Sequence, residues 1–212
     1  MSPGGTRIIY ERVEADGGSP MWLSALSGGA PVRVTNAQVE HSERTGAWSP
    51  DGAWFTYWDL VGTLTSVNRV RTTGQATPEV LVPRVDRVEN AVPAWWPTGE
   101  WILHNSNGWR LMSPDGKTER DLTLKADVCA LARDAAVLYC ARTEGVGGVF
   151  FSRPVAGGPD RVIAKLGPSQ VPANQLVPSL RMTLTPDGQH LTFSAVKRES
   201  NLWLLGGIAA TR

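Results

Sequence analysis

Residue types that perform catalysis or bind metals are present in this sequence, but not in the patterns that those chemistries need. The three histidines, His41, His104 and His190, are far apart, and neither cysteine belongs to a Cys-x-x-Cys pair. A metal site needs convergent ligands, so we predict none. Nor is there a Gly-x-Ser-x-Gly elbow, a Walker-type phosphate loop, a His-Glu-x-x-His pair or an acidic calcium loop. We therefore expect no catalytic residues, no cofactor and no enzymatic activity.

Three polar segments between strand-like runs are the candidates for binding. They cover residues 36–46, 83–91 and 165–179. Loops held by a rigid scaffold commonly carry binding residues, although solvated connectors have the same polar composition, and both interpretations stay open. The candidate binding residues are Glu40, His41, Glu43, Arg44, Arg84, Asp86, Arg87 and Glu89.

The two cysteines, Cys129 and Cys140, flank a turn at Arg133-Asp134-Ala135. An antiparallel pair centred between residues 134 and 135 places them directly opposite each other, close to the range in which a disulfide can form. A one-residue bulge would instead put them on opposite faces of the sheet. Without an export signal we favour two small buried thiols, with the disulfide as the alternative.

Composition and charge exclude several classes of protein. There are 21 Lys and Arg against 20 Asp and Glu, and the signs alternate along the chain, so nothing predicts a nucleic-acid or anionic-lipid partner. No run approaches the roughly 18 apolar residues of a membrane span, and the start lacks a signal peptide. We expect a cytoplasmic location if the chain is complete, and a periplasmic or extracytoplasmic one if it is a fragment of a membrane-bound sensor.

A tetrapeptide of the form x-Pro-x-Gly recurs along the chain. Copies begin at positions 2, 49, 96 and 185, so two intervals are 47 residues each and the third, of 89, has room for a degenerate copy at residues 132–135. Proline presets φ for a turn, and glycine supplies the positive φ that reverses the chain. Each copy therefore predicts a hairpin between two strands.

The residues after each turn predict the rest of the unit, namely an aromatic third strand, a Gly-rich turn and an outer strand. A four-stranded antiparallel meander of about 40 to 50 residues is the size of one β-propeller blade. We predict an all-β propeller of four blades and part of a fifth, with divisions at 1–35, 36–83, 84–124, 125–165 and 166–212. The tryptophans predicted to pack between blades are Trp48, Trp54, Trp58, Trp95, Trp96, Trp101 and Trp109.

The repeats Ala47-Trp48-Ser49-Pro50-Asp51-Gly52 and Leu184-Thr185-Pro186-Asp187-Gly188, with Asn201-Leu202-Trp203-Leu204 after the second, resemble the TolB-like, or WD-repeat-like, β-propeller family. The resemblance implies protein binding. Propellers of the same family also form the sensor end of bacterial membrane-bound serine/threonine kinases and the lid domain of prolyl-oligopeptidase-like peptidases. This family has six or more blades, so we expect an N-terminally shortened gene product or domain.

Two functions follow as expectations. The first is a non-catalytic scaffold or sensor module that binds a protein or peptide. The second is the accessory propeller of a truncated enzyme, either a serine/threonine kinase or a prolyl-oligopeptidase-like peptidase. Since the array begins and ends within a blade, we also expect an incomplete or open ring that either self-associates through its exposed strand edges or is a monomer of low stability.

Overall fold

A computed structural model describes residues 1–37, 41–73, 76–86, 92–106, 108–132, 134–145, 147–167, 182–185 and 190–193. All of its regular structure is β. The strands are β1 (Arg7–Glu11), β2 (Met21–Ala25), β3 (Val32–Arg33), β4 (His41–Trp48), β5 (Trp54–Val61), β6 (Leu64–Arg71), β7 (Glu79–Asp86), β8 (Ala94–Trp95), β9 (Ile102–Asn105), β10 (Trp109–Met112), β11 (Glu119–Asp121), β12 (Val128–Leu131), β13 (Val137–Glu144), β14 (Gly147–Pro154), β15 (Arg161–Leu166), β16 (Met182–Leu184) and β17 (Leu191–Phe193).

These strands form antiparallel sheets in which neighbours in sequence are neighbours in space. The first blade is β1-β2-β3, the second β4-β5-β6-β7, the third β8-β9-β10-β11 and the fourth β12-β13-β14-β15, while β16-β17 belong to a fifth. The predicted fold class is confirmed. Among the described strands, no pairing joins the first blade to the fifth.

The x-Pro-x-Gly turns act as the predicted hinges. In the copies at 2–5, 49–52 and 96–99, the glycine N–H donates to the carbonyl of the first residue over 2.8 to 2.9 Å, with glycine φ between 67° and 82°. The degenerate copy makes the same turn, since Ala135 N–H donates to Ala132 O over 2.9 Å. Ala135 has a φ of 58°, the conformation that glycine supplies elsewhere.

The same tetrapeptide also occurs at a second kind of turn. Ser113-Pro114-Asp115-Gly116 joins the third strand of a blade to its outer strand, and Gly116 N–H donates to Ser113 O over 2.9 Å. The tetrapeptide therefore identifies a hairpin without saying which hairpin of the blade it is.

Apolar clusters fill the space between successive blades. The first and second blades share a cluster with Phe55 and Tyr57, the second and third one with Trp58 and Ile102, the third and fourth one with Trp109, and the fourth and fifth one with Phe150. The second, third and fourth blades thus each bury both faces of their sheets against their neighbours, as propeller stacking requires.

The predicted role of the tryptophans is confirmed for six of the seven. Trp58, Trp96 and Trp109 are buried cluster members, while Trp48, Trp95 and Trp101 pack against the clusters. Trp95 also donates its indole N–H to Thr56 Oγ1 of the preceding blade over 3.1 Å. Trp54 differs, because its half-buried ring is contacted by two guanidinium groups, with Cζ of Arg69 and Cζ of Arg71 4.1 and 4.4 Å from the ring centroid.

The polar segments predicted as loops are partly strands, and the prediction was wrong there. β4 begins at His41, β7 continues to Asp86 and β15 to Leu166. Polar residues were a poor indicator of loops here, because a polar side chain within a strand can be hydrogen-bonded to the neighbouring blade. Glu43 of β4, for example, accepts a hydrogen bond from Met21 N–H. The divisions between blades and the self-association through open edges stay predictions.

The cysteines face each other as the register argument predicts, with Cys129 of β12 paired to Cys140 of β13 at a Cα separation of 4.1 Å. The favoured interpretation as two free thiols was wrong, because the two sulfurs form a disulfide. Direct opposition brings both side chains to the same face of the sheet.

Candidate functional site

The two ends of the blades differ in how they are closed. In a four-stranded meander, the first and third hairpins lie at one end, and the middle hairpin and the connector to the next blade lie at the other. We call these ends the turn face and the loop face.

Arginine side chains link neighbouring blades across the turn face. Arg7 of the first blade donates to Gly52 O and Thr72 O of the second over 3.2 and 3.4 Å. Arg120 of the third blade donates to Val155 O of the fourth over 3.1 Å. The backbone carbonyls of this face are thus partly occupied by the protein's own side chains.

On the loop face of the second blade, Asp59 organises a polar cluster. Asp59 lies near the end of β5, and Nδ1 of His41 at the start of β4 is 3.0 Å from both carboxylate oxygens. Because a carboxylate only accepts hydrogen bonds, Nδ1 carries the proton in this contact. Nη2 of Arg84, on the outer strand β7, is 3.8 Å from Asp59 Oδ2.

These three side chains differ in exposure in a way that matters for binding. The Asp59 side chain is 9% exposed, that of His41 27% and that of Arg84 45%. The Asp59 carboxylate therefore lies at the buried bottom of the cluster, and the imidazole of His41 and the guanidinium of Arg84 face the solvent. Arg84 is beyond hydrogen-bond distance of Asp59, so its guanidinium can reorient toward a ligand.

Glu43 lies beneath this cluster and is buried. Its Oε2 accepts hydrogen bonds from Thr35 Oγ1 and, over 3.1 Å, from Met21 N–H, both belonging to the first blade. Burial raises the pKa of the Glu43 carboxyl, and the charge of Asp59 adds to this, although the bonds from Thr35 and Met21 oppose it. Tyr57 is also buried and hydrogen-bonded to Glu43, and burial foremost raises its pKa.

The first blade therefore helps to build the site on the second. Ser19 N–H donates to His41 O over 3.3 Å, and Ser19 and Ser42 form an isolated parallel bridge. The cluster spans the junction of two blades and is held by backbone and side-chain bonds from both.

Three of the predicted binding residues come together here, namely His41, Glu43 and Arg84. Arg44 and Asp86 occupy positions in β4 and β7, whereas Glu40, Arg87 and Glu89 lie outside the described residues. Sequence reasoning missed Asp59, although a single acid in the apolar run Trp54-Phe55-Thr56-Tyr57-Trp58-Asp59-Leu60-Val61 is a usable signal.

The other histidines are separate from this cluster. His104 on β9 is fully buried, with Nδ1 3.1 Å from Ser106 Oγ and Nε2 3.5 Å from Glu119, and burial foremost lowers its pKa. His190 donates its backbone N–H to Thr185 Oγ1 over 3.0 Å. Across the ranges that the structure describes, no three His, Cys, Asp or Glu side chains are grouped as a metal would require.

In the same ranges, no helix has the length and apolar character needed to cross a bilayer.

No protein-family model and no curated protein matches the chain. Its fold does match solved structures. A protein assigned as a TolB from Agrobacterium tumefaciens is 18% identical with a TM-score of 0.66, over 93% of this chain and 73% of that one. TolB from Acinetobacter baumannii is 17% identical with a TM-score of 0.59, over 79% of this chain and 43% of that one.

A structure of a nidogen/laminin complex is 12% identical with a TM-score of 0.61, over 90% of this chain and 70% of the matched one. A puromycin-hydrolyzing peptidase from Mycobacterium tuberculosis is 16% identical with a TM-score of 0.59, over 77% of this chain and 28% of that one. At such identities the likeness shows the fold alone, and the chain has the fold of a TolB-like β-propeller.

Proposed function

We propose that the chain is a non-catalytic propeller module that binds a protein or peptide on its loop face, as a scaffold or sensor. The observation that carries this is the Asp59 cluster, in which a nearly buried carboxylate holds His41 and lies beside the half-exposed guanidinium of Arg84. The imidazole of His41 is held by Asp59 on a rigid sheet, so little of its side-chain entropy is lost on association, while the Arg84 guanidinium beside it can adjust to a ligand.

The cluster favours a ligand that offers oxygen acceptors. The guanidinium of Arg84 donates up to five hydrogen bonds in a fixed fork, which suits peptide carbonyls and carboxylates. Asp59 and Glu43 are positioning residues in this proposal, because their own oxygens face partners within the protein.

Selection of a displayed random peptide library on the immobilised chain tests the proposal. We expect peptides to be enriched, and Arg84→Ala to weaken the binding of a selected peptide by about tenfold, as loss of a central interface residue does. The matched control is Lys117→Ala, whose side chain is 82% exposed near the turn at residues 113–116 and should leave the affinity within about twofold.

Two results would contradict the proposal. One is that no peptide is enriched. The other is that Arg84→Ala and Lys117→Ala have the same affinity as the unchanged chain for every selected peptide.

The non-catalytic part of the proposal is supported by the missing nucleophile and phosphate-loop motifs. Purified chain should turn over neither peptide nor phosphoester substrates above the rate of a boiled sample. Turnover that disappeared on substitution of one residue would overturn it.

The second candidate, an accessory propeller of a larger enzyme, is favoured by the likeness to peptidase structures. The chain matches 28% of the puromycin-hydrolyzing peptidase and 29% of a prolyl endopeptidase, at TM-scores of 0.59. A hydrolase reading frame adjoining this one in the genome would support it, and complete unrelated genes on both sides would remove it. The serine/threonine kinase form of this candidate stays a prediction.

The disulfide supports the extracytoplasmic setting among the two locations considered. Disulfides persist in oxidising compartments and are rare in the cytosol. Alkylation of intact cells before lysis, followed by mass spectrometry of Cys129 and Cys140, would find both residues unmodified in this setting and both alkylated in a reducing one.

A further inference from the structure

The contact between His41 and Asp59 fixes which ring nitrogen of His41 is available to a ligand. Nδ1 is 3.0 Å from both oxygens of the Asp59 carboxylate, so Nδ1 carries a proton. In a neutral imidazole the other nitrogen, Nε2, is then a hydrogen-bond acceptor. Within the described ranges no hydrogen bond or ion pair uses Nε2 of His41, and the side chain is partly exposed. His41 therefore presents a lone pair to a ligand rather than an N–H.

Arg84 places hydrogen-bond donors next to this acceptor. Its Nη2 is 3.8 Å from Asp59 Oδ2, the same oxygen that lies 3.0 Å from Nδ1 of His41. A guanidinium has five N–H donors and no acceptor. The cluster thus offers a ligand one acceptor and one set of donors, side by side.

The charges of the cluster do not favour an anion. The negative charge of Asp59 lies beside the positive charge of Arg84, and a neutral imidazole adds no charge. The buried Glu43 supplies no positive charge either. A free carboxylate would therefore meet no net positive charge, and it would also bring its lone pairs against the lone pair of His41 Nε2, because an ionised carboxylate only accepts hydrogen bonds.

A primary amide matches both groups at once. The side chains of asparagine and glutamine carry a carbonyl oxygen and an NH₂ group on the same carbon, so the oxygen can accept from Arg84 while an N–H donates to His41 Nε2. The main chain is a poorer match, because the N–H and C=O of one trans peptide unit point in opposite directions.

We propose that the Asp59 cluster recognises the side-chain amide of an asparagine or glutamine in a bound peptide. This inference rests on the proposed peptide binding at the loop face and names the chemical group that is recognised there. Arg84 binds the amide oxygen and His41 binds the amide N–H. Asp59 is a positioning residue, because it acts by holding the proton of His41 on Nδ1.

The proton position in His41 can be measured on the unchanged chain without a ligand. Long-range ¹H–¹⁵N correlation spectra at about pH 9, where an imidazole is neutral, should show the His41 proton on Nδ1 and a bare Nε2. The His41 signals are assigned by their loss in His41→Phe. A proton found on Nε2 would overturn the proposal.

Two displayed peptide libraries at the same pH test the ligand class. One has glutamine and the other glutamate fixed at the central position, and all flanking positions are random. We expect enrichment from the glutamine library, and replacement of that glutamine by glutamate in an enriched peptide should weaken binding about tenfold. His41→Phe should remove this preference, whereas His190→Phe, which changes an exposed histidine at the start of the fifth-blade region, should keep it.

The possible results separate this inference from the proposed function. Enrichment from neither library would overturn both. Enriched peptides that bind equally well or more tightly with glutamate would overturn this inference alone, as would a preference for glutamine that His41→Phe leaves unchanged. The tautomer and the peptide comparison are both measured on the unchanged chain, so neither depends on the folding of a variant.

Discussion

At the loop end of the second blade, each residue of the polar cluster has a distinct physical task. Asp59 supplies the charge, His41 and Arg84 face solvent, and Glu43 connects the cluster to the first blade through Thr35 and Met21. The pKa of Glu43 is raised mainly by burial, so its ionised form is disfavoured in the folded chain.

The stability contributed by Glu43 should therefore depend on pH. Since its folded pKa lies above the unfolded value, its contribution is fully present below pH 4.5 and is lost as pH rises through the folded pKa. The free energy of unfolding of the unchanged chain minus that of Glu43→Gln, from urea titrations across this range, should fall as pH rises.

Asp51→Asn is the control with the opposite sign. Hydrogen bonds from Ser49 and the Ala53 N–H lower the pKa of Asp51, so its contribution is present above pH 3.8 and lost as pH falls. For Asp51→Asn, the free energy of unfolding of the unchanged chain minus that of the variant should rise with pH. If the corresponding difference for Glu43→Gln also rose with pH, the argument from burial of Glu43 would be contradicted.

Ala135 is the one alanine that the structure holds at a positive φ among the described residues. This conformation costs a non-glycine residue roughly 1 kcal/mol, so Ala135→Gly should raise the free energy of unfolding by about that amount. Ala136→Gly, one residue on and outside that conformation, should lower it by about 0.5 to 1 kcal/mol. Urea titration of both variants measures these changes. A lower free energy of unfolding for Ala135→Gly than for the unchanged chain would contradict the prediction.

The disulfide should compensate for this degenerate turn. Cys129 and Cys140 are 11 residues apart, and closing a loop of that size stabilises a fold by about 3 kcal/mol in the chain-entropy treatment. Thermal unfolding of the Cys129→Ala, Cys140→Ala variant should show a loss near that value with or without reductant. The unchanged chain should lose a similar amount only when reduced, and no response to reductant would rule out a structural role.

The individual strands and turns show which parts of this fold can be predicted from local sequence. Hairpins were predictable because proline and glycine fix turn conformation without help from the rest of the chain. The cysteine register followed from the turn centre alone. Strand ends were not predictable, because the start of β4 pairs with the end of β5 and also contacts Ser19 and Met21 of another blade, and none of these partners is adjacent in sequence.

The candidate site was predictable only in part for the same reason. His41, Glu43 and Arg84 stand out as polar residues at segment ends, whereas Asp59 looks like an interruption of an apolar strand. The partners of Asp59 lie on β4 and β7, and no local sequence pattern predicts which strands will be neighbours in the sheet.

Strand β4 depends on one glycine at a close approach. A Cβ added at Gly46 would lie 1.8 Å from Thr56 O, where the register between β4 and β5 shifts. Gly46→Ala should therefore lower the free energy of unfolding by about 3 kcal/mol. Gly4→Ala, where nothing lies within 4 Å, should change it by less than about 1 kcal/mol, and equal effects in urea titration would refute the close approach.

At the scale of the whole molecule, the blades form a stacked array whose neighbours share apolar clusters. The turn face is tied together by arginine-to-carbonyl bonds between blades, while the loop face carries a partly exposed polar cluster at a blade junction. This asymmetry is the physical basis for assigning ligand binding to the loop face.

Amide hydrogen exchange with a selected peptide bound tests that assignment most directly. We predict slower exchange at Ser19 to Met21, His41 to Glu43 and Leu60 to Gly62 on the loop face, and unchanged exchange at the turns around Gly52, Gly99 and Gly116. Protection confined to those turns, with none near Asp59, would contradict the account.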